Sequence, residues 1–145
     1  MKDIDQERVQ KLLSSMRHAV SSLIDLRGIA EEQFLQNKHL QGSAKYYFIV
    51  AIESAIDLAS HIISRKGLRA PEDYADTFRV LKEGGVIPEE FSVELEKMAR
   101  FRNRLVHLYW DVDDKEIWNI IQTRLGDFET YLSFLGRYLG RDLKI

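Results

Sequence analysis

Apolar residues recur every three or four positions along most of this chain, and only two prolines occur in its 145 residues. That spacing matches the 3.6-residue turn of an α-helix and gathers apolar side chains on one face of each segment. The sequence has no long segment that alternates apolar and polar residues as a half-buried strand does. The pattern therefore predicts an all-α fold of about five helices.

Capping residues, prolines and glycines predict where these helices begin and end. Ser, Asp and Pro favour helix starts, and Gly favours the position just after a helix. Residues 37–42 are polar and are predicted to form a loop. The expected helices are a first one that follows Asp3 and has no clear end past Gly28, a second from Ser43 to Lys66, a third from Pro71 to Gly84, a fourth from Pro88 to about Trp110, and a fifth from Asp114 to about Tyr138, with Asp113 and Glu116 as a capping box.

Composition limits the classes of protein to which the chain belongs. With 45% hydrophobic and 30% charged residues, residues 1–145 are expected to form one domain with a substantial core. The absence of cysteine rules out disulfides, thiolate metal sites and a cysteine nucleophile, and it fits a cytoplasmic location. The N-terminal residues contain no apolar signal core, and no run of ~18 uncharged apolar residues occurs. The sequence therefore predicts no contact with a membrane.

The segment from Tyr46 to Ile63 is apolar almost all the way round, so we expect it at the centre of the domain or in a subunit contact. Glu53, Asp57 and His61 recur in it at four-residue steps and share one side. One interpretation is a metal site of two carboxylates and an imidazole, although the sequence offers no second group of ligands. The other is that Glu53 and Asp57 pair with arginines of another helix, while His61 lies near the surface.

The fourth expected helix has an apolar face and a basic face. At ~100° per residue, its large apolar residues from Phe91 to Leu108 fall within one arc. The opposite side carries Lys97, Arg100, Asn103, Arg104 and His107. Because the formal net charge of the chain is −2, any contact with nucleic acid has to come from such a local basic surface. Lys97, Arg100 and Arg104 are therefore candidate RNA-binding residues.

Arg102 and Tyr109 lie at the edge of the apolar face and are two turns apart if the helix continues that far. A guanidinium in that position needs a carboxylate, and Glu53 and Asp57 are the expected partners. Arg102 and His107 lie about 140° apart around the axis, too far for a close pair within one chain. We therefore expect a dimer in which the second and fourth helices form the apolar contact and the imidazole of one copy approaches the basic groups of the other.

Arginine, an amide and histidine without a metal suit the cleavage of an RNA phosphodiester by its own 2′-hydroxyl. His107 exchanges protons near neutral pH, and Arg102 offers a planar fork to the phosphate as negative charge accumulates. Asn103 would orient the phosphate or the imidazole. On residue types alone, a solvated histidine beside an ordinary charged helix face explains the same pattern.

Arg102-Asn103, three further residues, His107, one more residue and Tyr109 resemble the arginine-x4-histidine-x-tyrosine signature of HepT-type HEPN proteins. Four further segments resemble the second helix of that family and the turns that follow: residues 51–62, 67–71, 84–88 and 110–114. The likeness covers about Ala44 to Leu135, whereas residues 1–42 contain no matching motif. The histidine signature alone is moderately specific, and the whole series is strongly so.

The resemblance implies an up-and-down HEPN-type helical bundle that acts as a homodimeric, metal-independent endoribonuclease with no cofactor. Arg102 and His107 would be the catalytic pair, and Asn103 would be their polar helper. It also implies a toxin–antitoxin system, in which a minimal nucleotidyltransferase antitoxin uses ATP to adenylylate Tyr109 and silence the toxin. Phosphates added near Arg102 would occupy the cationic groups that bind RNA. Without the resemblance, Tyr109 would be a core aromatic at the end of a helix.

A second class of function stays open, namely a non-catalytic helical module that binds a nucleotide or a nucleotidyltransferase partner through the same groove. Such a module could lose His107 and still bind, whereas a ribonuclease could not. Because Arg102 and His107 are both present, the enzyme is favoured. A purely structural dimerisation domain would leave Arg102, Glu53 and Asp57 with no role beyond pairing.

Overall fold

The computed structural model describes residues 3–145; Met1 and Lys2, the first residues of the segment predicted to hold no signal sequence, lie outside the described residues. Within that range every regular element is helical, which confirms the all-α prediction. The elements are α1 (Gln6–Arg27), α2 (Glu31–Leu35), α3 (Lys38–Lys66), α4 (Tyr74–Glu83), α5 (Glu89–His107), a 3₁₀ turn (Tyr109–Asp111), α6 (Asp114–Thr123) and α7 (Gly126–Leu139).

Four of these helices are preceded by an N-cap residue whose side chain accepts a hydrogen bond from a backbone N–H of the first turn. The four caps are Asp5, Asn37, Asp73 and Asp113. Asp113 was expected as a cap, and its Oδ1 accepts from the N–H of Lys115 at 3.1 Å. The expected reciprocal partner, Glu116, instead holds Arg104.

The predicted loop at residues 37–42 is wrong, because helix α3 already begins at Lys38. Asn37 caps it: its Oδ1 accepts from the N–H groups of His39 and Leu40 at 3.0 and 3.2 Å. Ser43, the predicted cap, lies inside the helix. The predicted end is confirmed, since Gly67 follows Lys66 with a φ of 67°, the left-handed conformation that glycine adopts without a steric penalty.

The other predicted boundaries differ from the structure in three places. Helix α4 begins at Tyr74 rather than at Pro71, because Asp73 caps it. Helix α5 ends at His107 rather than near Trp110, since Leu108, with φ −132° and ψ 42°, leaves the helical region. The predicted last helix is two helices, α6 and α7, because the chain bends between Thr123 and Gly126.

Helix α3 lies at the centre of the fold, one of the two positions that its all-round apolarity predicted. Most of its apolar residues are buried within one chain, which corrects the expectation that this helix forms the apolar dimer contact. It packs most extensively against α1 and also contacts α2, α4, α5 and α6. By length and composition, α3 would be able to cross a membrane, but 61% of its most apolar window is buried inside the fold. That burial is the pattern of a core helix in a globular domain.

His61 is buried on α3, which corrects the prediction that it lies near the surface. Its Nε2 accepts a hydrogen bond from the backbone N–H of Asp5 at 3.0 Å, so it joins the start of α1 to the middle helix. Burial lowers the pKa of His61, and the positive charges of Arg65 and Arg8 lower it further. His61 is a structural histidine that acts in its neutral form.

Candidate active site

Arg102 is held inside the fold by two side chains from two helices. Its Nε and Nη2 donate to Oε1 of Glu53 on α3 at 3.1 and 2.7 Å, which is the expected ion pair. Its Nη1 donates to Oδ1 of Asn103, the next residue on α5, at 3.1 Å. The Arg102 side chain is only 11% exposed, whereas the side chain of Glu53, which accepts two of these bonds, is 43% exposed.

The guanidinium of Arg102 has donors to spare. It carries five N–H bonds, and the hydrogen bonds to Glu53 and Asn103 use three of them. Among residues 3–145 the remaining two, one on Nη1 and one on Nη2, have no partner. Two such donors on one planar group suit the oxygens of a phosphate, to which arginine binds as a fork.

A third side chain at this site, Tyr74, was missed by the sequence reasoning. It is the first residue of α4, and the Cζ atom of Arg102 lies 4.9 Å from the centre of its ring. This is the geometry of a cation–π contact. The only local signal was the aspartate cap at residue 73, which sets the start of α4 but does not reveal which helix its first residue faces.

Asp57, the other expected partner of Arg102, is not part of this cluster. It lies one turn along α3 from Glu53, is exposed, and makes no hydrogen bond to Arg102. Partial desolvation raises the pKa of Asp57, and the charge of Arg8 opposes that rise. Glu53, Asp57 and His61 therefore do not form the metal site that was one interpretation of their spacing. Within residues 3–145 no group of three or more His, Asp or Glu side chains is placed to hold a metal ion.

His107 is the last residue of α5, and its side chain is exposed. It lies one turn beyond Asn103, so the two side chains share a face of the helix. In the described chain, no hydrogen bond joins His107 to Arg102 or Asn103. Because Arg102 and His107 are five positions apart on α5, they lie about 140° apart around its axis, and one copy of the chain holds the cation and the imidazole on different sides of the helix.

Tyr109 lies in the 3₁₀ turn and not on α5, so the prediction that it sits two helical turns above Arg102 is wrong. The interpretation as a core aromatic is also wrong, because Tyr109 is 62% exposed. Its ring meets that of Trp110 edge to face, with the ring centres 5.3 Å apart. Together with Leu108, these two rings form an exposed apolar patch, which we call the 108–110 patch.

The three candidate RNA-binding cations each have a carboxylate partner already. Lys97 pairs with Glu94 at 3.2 Å and Arg100 with Glu96 at 3.5 Å, and both cations are well exposed. Arg104 forms two short bonds to the carboxylate of Glu116, at 2.8 and 3.0 Å, and this pairing raises the pKa of Arg104. The structure does not bring these three residues together with Arg102, and their contact with RNA stays a prediction.

Comparisons with known proteins agree on one family. The family model described as Ribonuclease HepT-like matches residues 16–135. The mRNA nuclease HepT of Shewanella oneidensis is 31% identical over 103 residues, which are 71% of this chain and 77% of that protein. The tRNA nuclease HepT of Aphanizomenon flos-aquae is 27% identical over 120 residues, 81% of this chain and 75% of that protein.

A solved structure extends the likeness to the fold. The tri-AMPylated HEPN toxin of Shewanella oneidensis, in complex with its MNT antitoxin, is 25% identical and superimposes with a TM-score of 0.85. The match covers 92% of this chain and 99% of the toxin. Fold and sequence therefore point to the same relatives.

Proposed function

Because this chain belongs to the Ribonuclease HepT-like family, we propose that it is the toxin of a HEPN/MNT toxin–antitoxin system and cleaves RNA without a metal ion. The observation that carries the proposal is the environment of Arg102 and its position on α5. A nearly buried guanidinium with two free N–H donors lies on the same helix end as the exposed His107, and the exposed Tyr109 follows in the 3₁₀ turn. The proposed location is the cytoplasm, where RNA and ATP are both available.

In the proposed reaction, Arg102 binds the scissile phosphate through its two remaining N–H donors. The 2′-hydroxyl attacks the neighbouring phosphorus and loses its proton to a neutral His107. The bond from phosphorus to the 5′-oxygen breaks, and that oxygen takes up a proton from a second, protonated imidazole. The products are a 2′,3′-cyclic phosphate and a 5′-hydroxyl.

A homodimer supplies both imidazoles. One chain has a single histidine at this helix end, and the reaction needs one proton acceptor and one proton donor. The 108–110 patch adjoins His107 and is apolar enough to mark a contact surface. Two copies joined through this patch would bring the His107 of one copy towards the Arg102 of the other.

Tyr109 is the proposed site of control by the nucleotidyltransferase. Its hydroxyl oxygen attacks the α-phosphorus of ATP, a phosphodiester to AMP forms, and pyrophosphate leaves. The exposure of Tyr109 supports this role, because a modifying enzyme must reach the hydroxyl. Each AMP adds one negative charge beside the RNA-binding end of α5 and competes with RNA for Arg102.

The test of the ribonuclease proposal uses purified protein, single-stranded RNA and an excess of EDTA. Fragments that end in a 2′,3′-cyclic phosphate are expected. The matched control is the same RNA with 2′-O-methyl groups throughout, which lacks the attacking hydroxyl and should stay intact. Intact RNA in both reactions would contradict the proposal, and cleavage of both would assign a different mechanism.

A further inference from the structure

Tyr74 contacts the centre of the candidate site and has no role in the proposed reaction so far. We propose that Tyr74 is a positioning residue, whose ring holds the guanidinium of Arg102 in the plane from which its two free N–H donors meet the scissile phosphate. The inference rests on the proposed ribonuclease function. It predicts that the aromatic ring, and not the hydroxyl, is what the site needs.

The hydrogen bonds of Arg102 leave one motion unrestrained. Nε and Nη2 both donate to a single oxygen, Oε1 of Glu53, which acts as a pivot rather than as a two-point clamp. The third bond goes to Asn103, the adjacent residue on the same helix, which moves together with Arg102. A rotation of the guanidinium about the line through these two acceptor oxygens keeps all three bond lengths and N–H···O angles, so the bonds do not oppose that motion. A ring face 4.9 Å from Cζ does oppose it.

The exposed fractions of Arg102 and Tyr74 support the role of the ring in orienting the guanidinium. The Arg102 side chain is 11% exposed, whereas Tyr74 is 44% exposed. The ring contacts one face of the guanidinium and excludes water from that face, which strengthens the electrostatic contacts of Arg102. Among residues 3–145 the Tyr74 hydroxyl has no hydrogen-bond partner, so the ring is the part of the side chain that acts.

The start of α4 holds Tyr74 firmly in place. Asp73 caps the helix by accepting from the N–H of Asp76 at 2.7 Å. The carboxylate of Asp76 is almost buried, and it receives Nη1 and Nη2 of Arg69 at 2.7 and 2.9 Å and the N–H of Glu72 at 2.9 Å. The bonds from Arg69 hold the pKa of Asp76 well below its usual range, so the carboxylate stays charged.

Arg69 also binds the far end of α4. Its Nε and Nη2 donate to the carboxylate of Glu83, the last residue of the helix, each at 2.9 Å. One arginine therefore ties both ends of α4 to the segment before it. This gives residues 67–71, one of the segments that resemble the family, a physical link to the site: they fix the helix whose first residue supports Arg102.

The experiment compares Tyr74→Phe, which keeps the ring, with Tyr74→Leu, which removes it. For cleavage of a fluorophore–quencher RNA of mixed sequence, Tyr74→Phe should stay within about twofold of wild type. Tyr74→Leu should lower kcat and kcat/KM alike by about 2- to 30-fold, the range of cation–π contacts, because the contact serves the transition state. Tyr138→Leu, an exposed tyrosine on α7, is the matched control and should leave both constants unchanged.

A second readout tests the same contact without any activity. The Nε–H resonance of Arg102, assigned by its loss in Arg102→Lys, should be shifted upfield by the Tyr74 ring in wild type and in Tyr74→Phe. The shift should vanish in Tyr74→Leu, while the rest of the spectrum and the unfolding temperature stay close to wild type. If Tyr74→Leu does not fold, the chemical shift of the Arg102 Nε–H in wild type is the test. A chemical shift equal to those of the other arginine Nε–H groups would overturn the inference.

The two readouts separate failure of this inference from failure of the proposed function. Wild-type protein that cleaves no RNA contradicts the ribonuclease proposal, and the Arg102 resonance still decides whether Tyr74 covers the guanidinium. An active wild type with equal losses in Tyr74→Phe and Tyr74→Leu overturns the inference, because it assigns the effect to the hydroxyl. Full activity in Tyr74→Leu overturns it as well.

Discussion

Glu53 accepts both Nε and Nη2 of Arg102 on one oxygen, although the two residues lie 49 positions apart in the chain. The pair joins α3 to α5 at the point where the proposed reaction takes place. Because the neighbouring residue Asn103 binds the same guanidinium, the geometry of this arginine is set by the protein before any RNA arrives.

Removing the charge of Glu53 should loosen Arg102 without removing the hydrogen-bond acceptor. We expect Glu53→Gln to lower kcat about tenfold, since a charge-assisted hydrogen bond exceeds a neutral one by roughly 1 to 1.5 kcal/mol. Asp57→Asn, one turn away on α3, changes a carboxylate that does not contact Arg102 and should leave kcat within about twofold. Initial rates of RNA cleavage measure both, and equal losses in the two variants would restore Asp57 to the site.

The proposed catalytic pair predicts a loss of activity without a loss of structure. His107→Ala should lower kcat by about 10²- to 10⁴-fold, the usual contribution of a proton-transfer group, and Arg102→Ala should abolish measurable cleavage. His39→Ala, at the exposed start of α3, is the matched control and should cleave normally. RNA gels in EDTA and circular dichroism provide the measurements. Cleavage that persists in both site variants rejects the assignment.

Modification should depend on Tyr109 alone among the exposed tyrosines. After incubation with a minimal nucleotidyltransferase partner and ATP, wild type should gain one or more AMP groups and lose RNA cleavage without unfolding. Tyr109→Phe should stay folded, active and unmodified. Tyr46→Phe is the matched control, because Tyr46 is 61% exposed and Tyr109 is 62% exposed. Intact-protein mass spectrometry decides, and an AMP increment in Tyr109→Phe places the modification elsewhere.

The 108–110 patch should hold the dimer together. We expect wild type to sediment as a dimer at micromolar concentration and Trp110→Asp to sediment as a monomer, since a charge in an apolar contact is costly to bury. Val93→Asp, at an exposed apolar position on α5, should remain dimeric. A wild type that is monomeric at this concentration removes the composite site, and a dimeric Trp110→Asp places the contact on another face.

Stability should fall on the acid side because of His61. Its pKa is lowered in the folded chain, so on acidification the unfolded chain binds this proton first. The stability that neutral His61 contributes is fully present above pH 6.5, the ordinary histidine pKa. It is lost as the pH falls through the lowered pKa of His61 in the folded chain. Protonation also removes the Nε2 lone pair that accepts from Asp5. Asp5, Arg8 and Arg65 are the charged groups that act on this imidazole.

The measurement is urea unfolding between pH 5 and pH 8 for wild type and for His61→Gln. The free energy of unfolding should decline more steeply with acid in wild type than in His61→Gln, which keeps an acceptor but has no group that titrates in this range. His39→Ala should follow the wild-type curve. Parallel curves for wild type and His61→Gln would show that His61 does not titrate between the folded and unfolded states.

The sequence predicted a helix boundary correctly where one residue marks it, and incorrectly where two nearby residues are both suitable caps. Gly67 ends α3 as expected because no other residue nearby accepts a left-handed backbone. Asn37 and Ser43 are both good caps. The helix begins after Asn37 because its Oδ1 accepts from two N–H groups and the added turn lets Gln41 donate to the carbonyls of Phe34 and Leu35. The end of α5 at His107 was missed, since no glycine or proline marks it.

Some contacts of the candidate site could also be predicted from the sequence, and others could not. The pairing of Arg102 with Glu53 was predictable, because a guanidinium at the edge of an apolar face needs a carboxylate and the central helix offers few. Tyr74 was not predictable, because its contact with Arg102 depends on the direction in which α4 leaves the turn at residues 67–73. Helix directions are tertiary information that the periodicity of one segment does not contain.

Because α5 ends at His107, the exposed Tyr109 lies outside the helix that carries Arg102, Asn103 and His107. Arg102, Asn103 and His107 belong to a helix, while Tyr109 belongs to a turn held by two backbone bonds, from Asp111 N–H to Leu108 and from Val112 N–H to Tyr109. Opening this turn breaks these two backbone bonds, each worth roughly 1 kcal/mol, and the 3.4 Å bond from Nη2 of Arg104 to the carbonyl of Asp111, but it unwinds none of α5. The proposed modification of Tyr109 thus requires no change in the helix that carries Arg102 and His107.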